Sequence, residues 1–288
     1  MPTTLTPAAR TTARTKRNYL SEISTEIRQR PTAAVIYGPP GIGKTSLGAA
    51  STKPLFLIDS KEDGINTLKQ ANQCDENIPV LPAFTNFPDV LDCLDQLAAD
   101  HGDAQTLVID TLDGMEGLCH AHVCKTEFGG HWGIKDKRRQ KGFAAFSKGY
   151  EVAVSEWLKL LDALDGVRDA GMSVICLAHS VNRLFRSPET EDFEHWTPDL
   201  HAKTWARTHR WADMVLFCNH VFDTVSDQGT RAKGRGRGLR RIYTEWRPAF
   251  EAKNRMSLPS HISMGDSGAT GWKNVMAAVV KSRSRNGN

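Results

Sequence analysis

Residues 38–45 read Gly38-Pro39-Pro40-Gly41-Ile42-Gly43-Lys44-Thr45 and are the most informative motif of the chain. It matches the phosphate-loop pattern GxxxxGK(S/T) and stands between an apolar run, residues 33–37, and a segment of helical composition. Its glycines allow backbone N–H groups to curl around a β-phosphate at a helix N-terminus, where the helix dipole also attracts anions. We therefore expect residues from Gly38 to Ser46 to bind the phosphates of a Mg²⁺-nucleotide, with ATP as the expected nucleotide.

Two side chains of this loop and one later acid are expected to bind the nucleotide's charge and its metal ion. Lys44 should neutralise the β- and γ-phosphates, and the Thr45 hydroxyl should bind Mg²⁺. The apolar run 106–110 ends in a carboxylate, Asp110, which is the Walker B form and predicts that Asp110 holds Mg²⁺, often through water. The alternative is a strand-terminal Asp that caps a turn.

The carboxylate that orients the attacking water is expected on a neighbouring strand. Many P-loop ATPases carry a catalytic Glu directly after the Walker B Asp, whereas this chain has Thr111 there. A second apolar run ends at Asp59 and is followed by Glu62 and Asp63, which places acids beside the phosphate loop. We expect Glu62 to orient the water, with Asp59 as the second choice. Alternatively, Glu62 and Asp63 are acids that open the next helix.

Short apolar runs alternate with amphipathic stretches along the chain, and this alternation predicts an α/β fold. The expected architecture is a mostly parallel central sheet flanked by helices, with a hairpin towards the C-terminus. The predicted strands are 33–37, 54–59, 80–84, 106–110, 173–178, 214–221 and 241–246. Residues 125–148 and 180–211 break the alternation and are expected to be long loops, which in a compact domain are usually functional or disordered. We expect a basic flexible tail at 1–30, a nucleotide-binding core at 31–262, and a short helix with a basic tail at 263–288.

Composition and cysteine usage indicate a protein of a reducing compartment without a membrane span. The chain of 288 residues is 40% hydrophobic and contains no apolar run of about 18 residues, the length that a bilayer requires. Residues 1–20 lack a secretory apolar region and are expected to be a disordered tail rather than a transit peptide. The six cysteines form no CxxC pair, which favours the cytoplasm, or the host cytoplasm for a phage protein. In the run Cys-His-Ala-His-Val-Cys at 119–124, a helix would spread the side chains around its circumference, which favours core packing over zinc binding.

The sequence resembles the RecA-like branch of P-loop ATPases over residues 32–262. The matching features are the phosphate loop, the acid-bearing second strand, Ile109-Asp110-Thr111, the run 174–179 and the segment 251–255. More narrowly, it is similar to the compact phage nucleotide-binding proteins, AAA-type with a RecA core, that act as single-strand annealing proteins or recombinases. The resemblance implies a homo-oligomeric ring or filament that binds single-stranded DNA and promotes annealing or strand pairing in phage recombination or replication.

The resemblance also implies roles for three further side chains. His179 takes the place of the polar sensor that ends the next core strand and feels the γ-phosphate. Lys253 and Arg255 resemble the paired cations that a RecA-like subunit inserts into the ATP site of its neighbour, where they stabilise charge on the transferred phosphate. The alternatives are a histidine with a structural role and, for the two cations, a solvated turn.

Single-stranded DNA is the expected partner, because basic residues lie beside aromatic faces in one segment and such a combination binds single strands. The resemblance implies that the loops after Asp110 and His179 touch the DNA. The expected contacts are Trp132 for base stacking, with Phe143 nearby, and Lys137, Arg138, Arg139 and Lys141 for phosphates. Arg235 and Arg237 lie in a Gly-Arg stretch that resembles nucleic-acid-binding tails. A solvated basic loop is the alternative for these segments.

Two other functions are compatible with the phosphate loop. A helicase loader or AAA-type remodelling ATPase would act on a protein partner, and its DNA contact would be secondary. A small-molecule kinase would be a monomer whose basic stretches close over an acceptor. The lack of separate oligomerisation and DNA-binding domains like those of bacterial RecA favours annealing or single-strand binding over strand exchange.

Overall fold

The computed structural model describes residues 19–25, 30–133, 141–225 and 233–286. Its strands are β1 (Ala33–Gly38), β2 (Pro54–Ile58), β3 (Thr106–Asp110), β4 (Ser173–Phe185), β5 (Phe193–Pro198), β6 (Met214–Val225), β7 (Lys233–Tyr243), β8 (Lys253–Asn254) and β9 (His261–Ser263). Its α-helices are α1 (Lys44–Ala49), α2 (Gly64–Gln70), α3 (Phe87–Ala99), α4 (Leu112–Phe128), α5 (Lys148–Asp169), α6 (Ala202–Trp211) and α7 (Gly268–Asn286).

One mostly parallel sheet forms the centre of the molecule, in the order β2-β3-β4-β1-β6-β7-β9. The strands from β2 to β6 along this path are parallel to their neighbours, whereas β7 and β9 are antiparallel. β6 and β7 form a hairpin at one side of the sheet. The predicted α/β fold, with a mostly parallel sheet, flanking helices and a late hairpin, is therefore confirmed.

Helices cover both faces of the sheet, because alternate side chains of a strand point to opposite faces. In β1, Val35 and Tyr37 belong to an apolar core beneath α3, α4 and α5. Ala34 and Ile36 belong to a second core, which contains apolar residues of α1, α2 and α7. Burial on both faces explains why the strand sequences read as continuous apolar runs. The carboxyl ends of the parallel strands meet at one edge, where sheets of this kind bind ligands.

The run 80–84, predicted as a strand, is irregular. It runs alongside β2 and pairs with it through isolated bridges, such as the one between Phe56 and Val80. Pro79 precedes this run and Pro82 interrupts it, and a proline cannot donate a hydrogen bond to a neighbouring strand. The strand prediction was wrong here because it counted apolar residues without weighing the missing donors.

Residues 180–211, expected to be a long loop, are largely regular. β4 continues to Phe185 and pairs antiparallel with β5, and α6 follows. The loop prediction was wrong because this half of β4 is partly exposed and polar, so it lacks the apolar run of a buried strand. The other expected loop, residues 125–148, is also shorter than expected, because α4 extends to Phe128 and α5 begins at Lys148.

The segment after residue 263 is a longer helix than the short one expected. α7 packs against α1, and its Val275 and Val279 lie in the second core beside Leu47. These two valines stand one turn apart, so they form one apolar stripe along the helix. Most of the expected basic tail is therefore helical.

The helices are relevant to membrane association, and the cysteines are relevant to disulfide formation. Within the described ranges, no helix has the length and apolar character needed to cross a membrane. All six cysteines lie in those ranges, and each is a free thiol. Burial raises the pKa of Cys176 and of Cys218 to about 12, so both are neutral core residues.

Candidate nucleotide and nucleic-acid sites

The phosphate loop joins the carboxyl end of β1 to the N-terminus of α1, and residues 39–43 form the turn. Gly43 has φ 102°, a left-handed conformation that residues with a side chain rarely adopt. Ile42 is fully buried in the second core and anchors the turn. The loop thus presents backbone N–H groups at the start of a helix, as phosphate binding requires.

Lys44 is almost fully buried beneath the loop. Its Nζ donates hydrogen bonds to the backbone oxygens of Gly38, at 2.9 Å, and Pro39, at 3.2 Å. Burial lowers the pKa of Lys44, and the negative groups around it, including Asp110, oppose that shift. Phosphate oxygens are charged acceptors and form stronger hydrogen bonds than these carbonyls, so a bound nucleotide would compete for the ammonium group.

Thr45 and Asp110 meet as the motifs predict. Thr45 Oγ1 donates a hydrogen bond of 2.9 Å to Asp110 Oδ2. Asp110 is the last residue of β3, and its side chain is 3% exposed. Burial raises its pKa to about 6, although the hydrogen bond from Thr45 acts in the opposite direction. A buried carboxylate beside a hydroxyl is an oxygen donor set that fits Mg²⁺, and a bound cation would favour the charged carboxylate.

The two acids that follow β2 differ in what they contact. Asp59 is buried, and its Oδ1 accepts hydrogen bonds from the backbone N–H groups of Lys61, at 2.7 Å, and Glu62, at 3.0 Å. Asp59 therefore holds the turn that carries Glu62. The Glu62 side chain is partly exposed, so water can reach its carboxylate. Burial raises the pKa of Glu62, and Asp59 adds to the rise, while His179 acts against it.

His179 is paired with Asp113, an acid that belongs to none of the sequence motifs. Its Nδ1 lies 2.9 Å from Asp113 Oδ2, and its backbone N–H donates to Asp113 Oδ1, also at 2.9 Å. The hydrogen bond to Asp113 raises the pKa of His179. Burial acts to raise the pKa of Asp113, but the hydrogen bonds from His179 prevail and lower it. The sequence did contain a sign of this pairing. Asp113 comes shortly after β3, and His179 follows the buried part of β4. The carboxyl ends of these adjacent parallel strands meet at one edge of the sheet.

Lys253 and Arg255 lie at the opposite edge of the sheet from their own phosphate loop. β8 pairs with Met214 and Val215, at the start of β6, whereas the loop follows the end of β1. Lys253 Nζ donates to the backbone oxygen of His209, and Arg255 Nη2 donates to that of Arg210 at 2.9 Å. Both cations therefore bind carbonyls in the last turn of α6, a usual position for basic side chains.

The expected DNA contacts are only partly described by the structure. Trp132 is 50% exposed and packs against Phe143, with ring centroids 5.0 Å apart. Phe143 is fully buried among His120, Phe128 and Tyr150, so the expectation of an aromatic face beside Trp132 is corrected: Phe143 is a core residue. Lys141 is exposed. Lys137, Arg138 and Arg139 lie outside the described residues, as do the side chains of Arg235 and Arg237 on β7.

The outer half of β4 and its antiparallel partner β5 form a ribbon, residues 180–198, which we call the β4–β5 ribbon. It follows His179, where a DNA-contacting loop was expected, but its tip is acidic. Residues 186–194 contain Glu189, Glu191, Asp192 and Glu194 against one arginine. Near the tip, Leu184 is 63% exposed, and Phe185 stacks on Phe193. Clustered carboxylates repel nucleic-acid phosphates, so this ribbon is a poor phosphate contact.

Similarity to a known protein family agrees with the geometry of the phosphate loop. A family model described as an AAA domain matches residues 30–256, which is most of the chain. No curated protein sequence matches. Among solved structures, the crystal structure of the RadB recombinase is similar, with 12% identity and a TM-score of 0.45 over 83% of this chain and 90% of that chain.

Proposed function

The chain belongs to the AAA domain family of P-loop nucleoside triphosphatases, and from this premise we propose that it hydrolyses Mg²⁺-ATP at the carboxyl edge of β1, β3 and β4. The observation that carries the proposal is the hydrogen bond between Thr45 and Asp110. It brings the two Walker motifs into contact although they are 65 residues apart in the chain. Such a pair of oxygens beside a buried lysine is what a Mg²⁺-triphosphate site needs.

In the proposed reaction the phosphate loop binds the nucleotide phosphates, the acid that ends β3 acts on the metal ion, and an acid that follows β2 acts on water. The loop N–H groups and Lys44 bind the β- and γ-phosphates. Thr45 and Asp110 would hold Mg²⁺, which when bound neutralises charge that develops on the phosphate oxygens. Glu62 orients a water molecule towards the γ-phosphate and accepts its proton, and ADP and phosphate are released.

Glu62 is favoured over Asp59 as the water-orienting acid. One Asp59 oxygen already accepts two backbone hydrogen bonds, which tie it to the turn. The raised pKa of Glu62 brings its carboxylate closer to the operating range of a general base near neutral pH. Asp59 is then the residue that positions Glu62.

A sensor role for His179 is supported by its pairing with Asp113. The pair links the end of the buried part of β4 to the first turn of α4. A γ-phosphate near His179 would compete with Asp113 for a hydrogen bond with the imidazole ring. Any shift of His179 would pass directly into the β4–β5 ribbon, because the ribbon continues the same strand.

We propose single-stranded DNA as a partner, in annealing or strand pairing during phage recombination or replication. Support comes from Trp132, whose half-exposed ring belongs to a residue that precedes the basic run 135–141 in the sequence. A homo-oligomer with Lys253 and Arg255 acting in trans is part of this proposal. These cations lie at the edge opposite their own phosphate loop, so a phosphate that they reach would belong to a neighbouring subunit.

The β4–β5 ribbon favours a second candidate, a helicase loader or AAA-type remodelling ATPase that acts on a protein partner. Its acidic tip and its exposed Leu184 and Phe185 suit a basic, partly apolar protein surface better than a phosphate backbone. In that case DNA contact is secondary.

The experiment that separates the two is the steady-state ATPase rate with and without single-stranded DNA of mixed sequence. The leading proposal predicts that DNA increases the rate and that added salt removes the effect, because phosphate contacts release counterions. An ATPase rate that DNA leaves unchanged at low salt would contradict the DNA proposal and favour a protein partner.

A further inference from the structure

β7 carries a side chain that contacts the phosphate loop from outside the motif. Arg240 Nη1 donates a hydrogen bond to the backbone oxygen of Ile42, and Nη2 donates one to that of Gly265, both at 3.0 Å. One guanidinium group therefore ties the phosphate loop to the segment between β9 and α7. Arg240 lies 198 residues from Ile42 in the chain, so the loop pattern itself gives no sign of it.

The contact bears on the orientation of the peptide that joins Ile42 to Gly43. A trans peptide is planar, and its C=O and N–H point in opposite directions. Because the Ile42 oxygen points towards Arg240, the N–H of Gly43 in the same peptide points away from Arg240. Glycine has little conformational preference of its own, so an external contact is needed to fix this peptide.

Packing supports the same arrangement. A Cβ at Gly43 would lie 2.9 Å from Arg240 Nη1 and 3.2 Å from Met264 Cε, so both side chains pack closely against the Cα of Gly43. The backbone N–H of Met264 donates to the Arg240 oxygen at 3.0 Å, which holds the two together. The loop is thus enclosed between the core beneath Ile42 and a wall formed by Arg240 and Met264.

The positive charge of Arg240 also acts on a group that Lys44 affects. Burial raises the pKa of the Cys218 thiol, and both Lys44 and Arg240 are near enough to oppose the rise. The Cys218 thiol is therefore within electrostatic reach of both cations. An anion in the loop would be attracted by both.

We propose that Arg240 is a positioning residue of the phosphate site: it presets the peptide whose N–H binds the β-phosphate and thereby sets the affinity for nucleotide. This inference rests on the proposed nucleotide function of the loop. Arg240 acts through the Ile42–Gly43 peptide and is not a catalytic residue.

The test compares ADP affinity, by isothermal titration calorimetry with Mg²⁺ and without DNA, for wild type, Arg240→Gln, Arg240→Lys and Arg241→Gln. Arg241 is the matched control, since it is the next residue of β7, faces the other side of the sheet and loses the same charge. Loss of one well-oriented hydrogen bond to a charged group predicts about 10- to 100-fold weaker binding for Arg240→Gln. Arg240→Lys should also bind more weakly, because an ammonium group cannot reproduce the fork that spans two carbonyls.

The ³¹P resonances of bound ADP at saturation distinguish the proposed positioning role of Arg240 from a purely structural role. The proposal predicts a changed β-phosphorus shift in both Arg240 variants, and wild-type shifts in Arg241→Gln. Wild-type affinity together with an unchanged β-phosphorus shift in Arg240→Gln would overturn it, and Arg240→Lys answers the question if Arg240→Gln does not fold. If wild type itself binds no ADP, the proposed nucleotide function fails with it, which is a different result from equal binding by all variants.

Discussion

Gly114, in the first turn of α4, lies directly against the carboxylate of Asp59. A Cβ at Gly114 would sit 1.9 Å from Asp59 Oδ2 and 2.8 Å from its Cγ. Asp59 is buried and bound to the N–H groups of Lys61 and Glu62, so it cannot move aside without releasing their turn. We therefore expect Gly114→Ala to displace Asp59 and, with it, Glu62.

The size of the effect can be worked out against a matched control on the same helix. Gly117 lies one turn later and is exposed, and a Cβ there would meet no atom within 4 Å. Alanine is a better helix former than glycine by about 1 kcal/mol, so Gly117→Ala should stabilise the protein by about that amount. Gly114→Ala gains the same propensity but adds overpacking, which costs about 1–3 kcal/mol. The difference between the two variants isolates the overpacking term.

The assay is urea denaturation of both variants, followed by single-turnover ATP hydrolysis under conditions where each is folded. Gly114→Ala should unfold with a free energy about 1–3 kcal/mol below that of Gly117→Ala. It should also hydrolyse ATP more slowly, whereas Gly117→Ala should match wild type. Equal unfolding free energies for the two variants, or full activity in Gly114→Ala, would refute the reasoning that Asp59 fixes the position of Glu62.

Four further predictions concern the acid, the sensor pair and the partners. Glu62→Gln should bind ATP normally and turn it over about 10²-fold more slowly in single-turnover assays, and unchanged turnover would move the role to another acid. Hydrogen bonding to Asp113 raises the pKa of His179, so the pair stabilises the fold fully below pH 6.5 and loses that contribution as pH rises through the raised pKa. The difference in unfolding free energy between wild type and Asp113→Asn should accordingly shrink as the pH rises through the raised pKa of His179, and a pH-independent difference would contradict the pairing. Arg255→Ala subunits mixed with subunits that lack the P-loop lysine should regain ATP hydrolysis at mixed interfaces, and no gain at any ratio would count against action in trans. Trp132→Ala should weaken single-stranded DNA binding by about 1–3 kcal/mol in fluorescence anisotropy, and a large change in salt dependence would contradict a stacking role.

The phosphate site was predictable from the sequence because its parts are either local or end neighbouring strands. The loop itself is one contiguous motif, and Asp110 closes an apolar run that matches β3 residue for residue. Parallel strands buried on both faces read as continuous apolar runs, so the strands of the core were visible in the same way. The contact between Thr45 and Asp110 follows once those strands share one edge.

What the sequence could not show depends on exposed strands and distant contacts. The outer half of β4 pairs with β5 through polar and partly exposed residues, so no apolar run marked the ribbon. The Phe143 ring looked like a nucleic-acid contact beside a basic run, but tertiary packing buries it. Arg240 reaches the phosphate loop only because the hairpin brings β7 beside it. Each of these facts requires the three-dimensional arrangement of segments far apart in the chain.

The most direct test of the central claim is the rate of ATP hydrolysis by Lys44→Ala beside that of wild type, at saturating Mg²⁺ and equal protein concentration. Lys44 lies under the loop with its ammonium group within hydrogen-bond distance of two backbone carbonyls, and it is proposed to neutralise the charge of the β- and γ-phosphates. We predict measurable turnover by wild type and none above background for Lys44→Ala. Hydrolysis by Lys44→Ala at the wild-type rate would contradict the assignment of this loop as the site of the reaction.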